Sequence, residues 1–257
     1  MLLETNDLTK TYGGVKAVEK VSISIEKEKI TSLIGPNGAG KTTFFNCVTG
    51  IVAPTFGTTI FQGIAISNLK SYIISRCGIA RTFQNIRLFS EMSVIENVMV
   101  GGYVESVPTQ NSFLTAIFRG RSFYKKETAL RKRAAYLLEF VGISACFDLP
   151  SRALSYGDKR RLEIARALAS SPTLLLLDEP AAGMNPKETE DLMTLIGKIR
   201  AEGITPFLIE HNMKMVMGIS DHIIVLDHGV KIAEGTAKTI QNDARVIEAY
   251  LGHQKTP

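Results

Sequence analysis

The sequence predicts an α/β fold in which a mainly parallel sheet is covered by helices on both faces. Three observations predict it. Short, fully apolar runs such as Leu174-Leu175-Leu176-Leu177 alternate with amphipathic stretches of helical period, the pattern of strands buried on both sides. One apolar run, residues 30–34, passes through a glycine-rich loop straight into a helix. Residues 93–142 then replace the alternation with helical spacing alone, so helices are expected to be inserted into the α/β frame.

The elements follow in order. The first 30 residues alternate like strands: Leu3, Val21, Ile23 and Ile25 mark apolar faces, and Gly13-Gly14 reads as a turn. The buried strand at 30–34 and its loop lead to a helix over 41–48, and residues 57–66 read as a further strand pair. Met92, Val94, Ile95, Val98 and Met99 fall at helical spacing; Leu130, Leu137, Leu138 and Val141 share one side of a helix over 129–142. Between them, residues 101–124 read as an extra excursion. Its centre, Phe113-Leu114-Thr115-Ala116-Ile117-Phe118, is expected to form a short amphipathic helix between Pro108 and Gly120. After Leu154 the α/β rhythm resumes: a helix over 158–169, a strand at 174–177, a helix over 186–201, a strand at 204–209, a helix over 212–219, and a strand at 222–227 that runs into a turn at Gly229.

The chain's 257 residues, 45% of them hydrophobic, suffice for one large domain or two lobes with separate cores. A net charge of +5 does not require nucleic acid; it equally suits phosphate ligands or an anionic membrane surface. No apolar run approaches the ~18 residues of a membrane span. The start, Met1-Leu2-Leu3-Glu4-Thr5-Asn6-Asp7, lacks the basic and apolar regions of a signal peptide. A cytosolic protein is expected, with any membrane role arising through a partner. Cys47, Cys77 and Cys146 are widely spaced and odd in number, which fits buried reduced thiols rather than disulfides. His211, His222, His228 and His253 have no zinc-like spacing with them.

Three motifs carry chemistry. Gly35-Pro36-Asn37-Gly38-Ala39-Gly40-Lys41-Thr42 is a complete G-x-x-x-x-G-K-[ST] phosphate-binding loop, with Thr43 next in the helix. Its glycines let the backbone turn tightly and bring N–H groups onto phosphate oxygens. Lys41 places a point charge at the β- and γ-phosphates, Thr42 offers a hydroxyl to Mg²⁺, and the following helix aims its positive end at the same anion. The second motif is the apolar strand 174–177 ending in Asp178-Glu179. Asp178 fits the Mg²⁺-holding acid of phosphate-loop NTPases, and Glu179 can polarise a water for attack on the γ-phosphate. The third, Leu154-Ser155-Tyr156-Gly157-Asp158, precedes a basic amphipathic helix. It offers a hydroxyl and a small residue at a second helix N-terminus, a second possible anion site.

In kind and order these motifs resemble the nucleotide-binding subunits of ATP-binding cassette (ABC) transporters, across residues 2–252. The Leu-Ser-x-Gly signature distinguishes that family from other phosphate-loop NTPases. The resemblance implies the ABC ATPase version of the phosphate-loop NTPase fold. Its parts are a mainly parallel sheet core, an antiparallel β subdomain and an inserted α-helical subdomain. Here the last would span 85–153, with the excursion at 101–124, in a single nucleotide-binding domain over 1–257. ATP and Mg²⁺ are the implied cofactors. Tyr12 stands where the family stacks an aromatic ring on adenine. Gln84, in Arg81-Thr82-Phe83-Gln84, matches the glutamine that touches Mg²⁺ and the attacking water and senses the transporter. Ala182-Gly183-Met184-Asn185 occupies the loop that crosses the dimer interface, and His211 matches the histidine that hydrogen-bonds the γ-phosphate. The resemblance thus implies catalytic roles for Glu179, His211 and Gln84, and metal binding by Thr42, Gln84 and Asp178. It further implies a head-to-tail pair of identical or homologous cassettes, with ATP between the phosphate loop of one and Ser155 and Gly157 of the other. Transmembrane permease subunits are implied partners, a periplasmic or extracellular substrate-binding protein an indirect one, and nucleic acid none. The implied place is the cytoplasmic face of the membrane.

Within the family, several stretches are similar to the branched-chain amino acid importers, and to LivG-type subunits, usually paired with a LivF-type one. They are Arg81-Thr82-Phe83-Gln84-Asn85-Ile86-Arg87-Leu88-Phe89, the run from Asp178 to Pro186, the run from Glu210 to Asp221, and Val246-Ile247-Glu248-Ala249-Tyr250-Leu251-Gly252. The ATPase of lipopolysaccharide export is similar in length and ending, but its signature usually carries Gly where this chain has Tyr156. Soluble cassettes acting on nucleic acid or ribosomes usually carry two cassettes, a long coiled coil or zinc cysteines. Two positions depart from the pattern. Asp158 replaces a common Gln and is expected to cap the helix and pair with its dipole; the competing reading is that its charge weakens ATP-driven dimerisation. Asn212 stands where the subgroup often has Asp. Arg119, Arg121, Lys125, Lys126, Arg131, Lys132 and Arg133 form a basic cluster, expected to be a solvated helix face, with lipid headgroup contact as the alternative. Residues 85–94 are the expected groove for a coupling helix of the membrane subunit.

Overall fold

A computed structural model describes residues 1–103 and 121–251. The chain divides into two compact units, Met1–Gln84 with Thr173–Pro257, and Asn85–Pro172.

The first unit holds two sheets. β1 (Leu3–Tyr12) and β2 (Val15–Ile25) form a hairpin, and β4 (Phe56–Phe61) and β5 (Ile64–Ala65) complete an antiparallel sheet of order β2-β1-β4-β5. Gly13 and Gly14 turn the hairpin with φ of 50° and 94°, values that glycine adopts without strain. The larger sheet runs β10-β9-β3-β8-β7-β6, built from β3 (Thr31–Ile34), β6 (Ile79–Arg81), β7 (Leu174–Asp178), β8 (Thr205–Ile209), β9 (His222–Asp227) and β10 (Val230–Gly235). Only β10 is antiparallel to its neighbour. β3, β7 and β8 are buried at every residue, which is why they read as unbroken apolar or small runs.

Register decides where the chemistry falls. Leu33 pairs with Ile209 and Asp178 with Ile209, while Arg81 pairs with Leu176. The carboxyl ends of β3, β6, β7 and β8 therefore finish at one edge, the usual ligand edge of a parallel sheet. Helix α1 (Lys41–Val48) is anchored below that edge by Phe44 and Phe45, whose ring centroids lie 6.4 and 4.8 Å from that of Phe207 on β8. The same core takes in Leu8, Val21, Ile25 and Phe61 of the antiparallel sheet. The remaining helices of this unit are α2 (Ser71–Arg76), α6 (Pro186–Ala201), α7 (Met213–Ile219), α8 (Ala237–Gln241) and α9 (Ala244–Leu251). Asn185 and Glu188 cap α6 reciprocally around Pro186, and the Asn212 side chain accepts from the Met215 N–H to start α7.

The second unit is helical: α3 (Val94–Gly102), α4 (Arg121–Phe140) and α5 (Tyr156–Leu168). Ser93 and Glu96 form a capping box on α3. Gly101 lets α3 approach α5, because a Cβ there would meet the Arg166 carbonyl oxygen at 2.0 Å. Fully buried Asn97 accepts from the Phe89 N–H and donates to the carbonyls of Phe89 and Ser93, stitching residues 89–93 onto α3. The unit continues to Pro172 because α5 packs against α3 and α4.

Several expected bounds move. The helix expected at 158 begins at Tyr156, since Ser155 is its N-cap. The helix expected over 129–142 starts at Arg121. α2, β6, β10, α8 and α9 were not anticipated; most are short, and their apolar residues are too few for a period to emerge. Most of the 101–124 excursion, including the helix expected at 113–118 and Arg119, lies outside the described residues. No helix among the described residues is long and apolar enough to cross a membrane.

Candidate functional site

The phosphate loop connects buried β3 to α1, and its shape follows from its glycines. Gly35 has φ of 149°, and a Cβ on it would lie 2.0 Å from the Leu226 carbonyl oxygen on β9. Gly40 has φ of 95°, and its Cβ would lie 2.2 Å from the Ala17 carbonyl oxygen on β2. No other residue type fits either place. Gly40 is also the N-cap of α1 and supplies no side chain, so the first N–H groups of α1 are not capped by a side chain. Asn37, Gly38 and Thr42 are exposed, Pro36, Gly40 and Thr43 half-buried, and Gly35, Ala39 and Lys41 buried.

Lys41 bends back over its own loop. Its ammonium donates to the carbonyl oxygens of Gly35 at 2.8 Å and Pro36 at 2.9 Å. Burial holds its pKa below the ordinary lysine value, against the opposing pull of Glu179 and Asp178. The loop therefore keeps a buried cation close to two carboxylates, ready to exchange two carbonyl acceptors for a more strongly bound anion.

Asp178 ends β7 almost wholly buried, at 1% exposure. Its Oδ2 accepts from Arg81 Nη2 at 2.7 Å, and its Oδ1 has no hydrogen-bond partner among the described residues. An orphaned, buried carboxylate oxygen near the end of the phosphate loop's strand is the donor a hard divalent cation takes, directly or through its water. Thr42, an exposed residue, supplies a hydroxyl as a second hard oxygen donor. The residues present thus fit Mg²⁺.

Glu179 follows with φ of 48°, off the strand and into the left-handed region. Its carboxylate is shared by two side chains from neighbouring strand ends. Gln84 Nε2 donates to Oε2 at 2.8 Å, and His211 Nε2 lies 2.6 Å from Oε1. The structure so brings together Glu179, Gln84 and His211, three residues separated by up to 127 positions in sequence. Tyr12, at the end of β1, is 45% exposed, with Lys10 Nζ 5.0 Å from its ring centroid.

The signature belongs to the helical unit and is described by itself. Ser155 caps α5: its Oγ accepts from the Asp158 N–H at 3.2 Å and donates to Asp158 Oδ2 at 2.8 Å. The cap expected of Asp158 is thus made by Ser155, with Asp158, the third residue of the first turn, as its partner. Gly157 is buried in the first turn. Of the basic cluster, Lys125, Lys126 and Lys132 are exposed, and Arg131 and Arg133 lie over the rings of Phe147 and Tyr136.

Residues 18–182 match the family described as ABC transporter. The chain belongs to that family. Residues 230–256 match a second, the branched-chain amino acid ATP-binding cassette transporters. Over 252 residues the cassette is 46% identical to the high-affinity branched-chain amino acid transport ATP-binding protein BraF of Pseudomonas aeruginosa, with 98% of each chain covered. It is 45% identical to LivG of Escherichia coli K12, again with 98% of each covered. Among solved structures it is similar to the ADP conformation of an ATP-binding cassette of an ABC transporter, with TM-score 0.84 and 35% identity over 98% of each chain. A nucleotide-free cassette matches with TM-score 0.84 and 34% identity, over 98% of this chain and 99% of that one. The expected ABC ATPase fold is the fold observed, and the cassette is an ATPase of this family.

Sequence reasoning passed over two buried charges of the cassette. Arg81 pairs with Asp178 and also donates through Nη1 to Asn46 Oδ1 at 2.8 Å and Thr49 Oγ1 at 3.2 Å, joining β6, β7 and α1. Glu210, 3% exposed, accepts from the N–H groups of Ala181, His211 and Asn212 at 2.8, 3.0 and 3.3 Å. Burial raises its pKa, the three N–H donors oppose the rise, and the charge of Glu179 adds to it. The available signal was an ionisable residue directly continuing an apolar strand, at both Ile79-Ala80-Arg81 and Phe207-Leu208-Ile209-Glu210.

Proposed function

We propose that this chain is the ATP-hydrolysing motor subunit of an importer of branched-chain amino acids. It works as a head-to-tail pair of cassettes on separate transmembrane subunits, at the cytoplasmic face of the membrane, with a substrate-binding protein delivering the amino acid from outside. The observation that carries the ATPase role is the convergence of Gln84 and His211 on the Glu179 carboxylate beside the phosphate loop. The match of residues 230–256 to the branched-chain amino acid cassettes supports the substrate class.

Tyr12 stacks on adenine, and the backbone N–H groups of the loop from Asn37 to Thr43 and the Lys41 ammonium hold the phosphates. Thr42, Asp178 and Gln84 hold Mg²⁺, which neutralises phosphate charge when bound. Phosphate oxygens replace the carbonyls of Gly35 and Pro36 as acceptors for Lys41. Gln84 and His211 turn from Glu179 toward the nucleotide, and His211 donates to the γ-phosphate. The freed Glu179 carboxylate accepts a proton from the water whose oxygen bonds to the γ-phosphorus as the bond to ADP breaks. Ser155 and Gly157 of the second cassette close over the same phosphate and exclude bulk water. Residues 85–94 receive the coupling helix of the membrane subunit.

Co-reconstitution with the native membrane subunits in liposomes tests this. ATP-driven uptake of labelled leucine, isoleucine or valine, lost on Glu179→Gln, is expected. Uptake of an unrelated solute and none of these three would overturn the substrate assignment.

A further inference from the structure

Glu210 is a buried ionisable group, 3% exposed, that the scheme above leaves unused. It sits one residue beyond β8, and its two oxygens serve two different loops. Oε1 accepts from the Ala181 N–H, two residues after Glu179. Oε2 accepts from the N–H of His211 and, more weakly, of Asn212. The Glu179 N–H donates to the Ile209 carbonyl at 2.9 Å, so the backbone on both sides of the Glu179–His211 contact is tied to residues 209 and 210.

We infer that Glu210 is a positioning residue for ATP hydrolysis, whose buried carboxylate fixes the spacing between the Glu179 loop and the His211 loop. The inference rests on the roles proposed above for Glu179 and His211. The chemistry of the side chain is specific to that task. Three N–H donors converge on it, so only an acceptor at both ends satisfies them all. A neutral amide would present a donor to one of the loops and release it. Ala181 also leads into Ala182-Gly183-Met184-Asn185, so the tether joins the run proposed to cross the cassette interface to both reacting-side residues. A rigid spacing matters because Gln84 and His211 must leave Glu179 for the nucleotide without the carboxylate itself losing its place. Misplacement of such a group by about 1 Å can cost on the order of 100-fold in rate.

The test is Glu210→Gln in the full chain, read by steady-state ATPase kinetics, by affinity for a fluorescent ATP analogue, and by amide hydrogen exchange. The substitution keeps the volume and turns one acceptor into a donor. We expect kcat to fall by about 10- to 100-fold, with analogue affinity within about twofold, because the phosphate loop is untouched. Exchange at Ala181, His211 or Asn212 is expected to rise by about tenfold or more while the amides of Gly38 and Gly40 keep their rates. A merely structural role would lower analogue affinity and kcat together and speed exchange throughout. Glu210→Asp withdraws the carboxylate by one methylene while keeping its charge; it is expected to lower kcat in the same way and keeps the test decisive if the Gln variant does not fold. Either variant folded with kcat within about twofold of native, while His211→Ala is inactive, would overturn the positioning role alone. A fully active His211→Ala would instead overturn the roles on which it rests.

Discussion

Arg81 and Asp178 form a buried ion pair, with Nη2 and Oδ2 2.7 Å apart and the two side chains 6% and 2% exposed. Arg81 so orients the acid proposed to hold Mg²⁺, taking one oxygen and leaving the other, buried, without a hydrogen-bond partner among the described residues. Removing one partner of such a pair leaves a buried charge uncompensated. Arg81→Met is predicted to cost about 3–5 kcal/mol of stability, read by urea denaturation without nucleotide. A loss below about 1 kcal/mol would mean the pair is solvated in solution.

Lys41→Met separates binding from stability. Burial depresses the Lys41 pKa, so its contribution to stability is present only above the unfolded value and is lost as pH falls through the folded one. At neutral pH the ammonium is therefore a cost to the free protein. The variant is predicted to lose about 100-fold or more in ATP affinity, while its melting temperature without nucleotide stays level or rises. A clear fall in that temperature would contradict the reading.

The signature offers a test of the reciprocal cap. Ser155→Ala is predicted to cost about 1 kcal/mol, as for other N-caps, measured by chemical denaturation. Asp158→Gln is predicted to leave ATP-induced dimerisation within about tenfold of native, because the carboxylate serves the cap. Tightening beyond that would show that its charge restrains dimerisation.

Cys47 reports on the core beneath the phosphate loop. Burial pushes its thiol from 9.0 to about 11, with a smaller opposing pull from Lys10. Its contribution to stability is complete below pH 9.0 and is lost as pH rises through about 11. Alkylation at mildly alkaline pH is predicted to label the half-buried Cys77 and Cys146 well before Cys47, with all three reacting in urea. Peptide mapping checks the order, and early labelling of Cys47 would contradict it.

The contrast between what the sequence discloses and what it hides has a physical basis. β7 was legible because four leucines buried on both faces can be little else, and the phosphate loop because Gly35 and Gly40 answer steric demands at Leu226 and Ala17 while Gly38 takes a φ of 81°. β6 was not, because three residues carry no period, and its position beside β7 is set by pairing across a long stretch of chain. The residues at the site were legible one at a time, through motifs. Their hydrogen-bond partners were not. Gln84 and His211 meet at Glu179, and Arg81 meets Asp178, only because parallel register brings four strand ends to one edge.

Glu179 is proposed to drive hydrolysis in a site that a second cassette completes, and Glu179→Gln probes that role at its key atom. Steady-state phosphate release and dimer content should be measured together in MgATP. Turnover is predicted to fall by about 100-fold or more, with ATP still bound and a closed dimer accumulating. Near-native turnover in that variant would rule out Glu179 as the group that takes the proton from water.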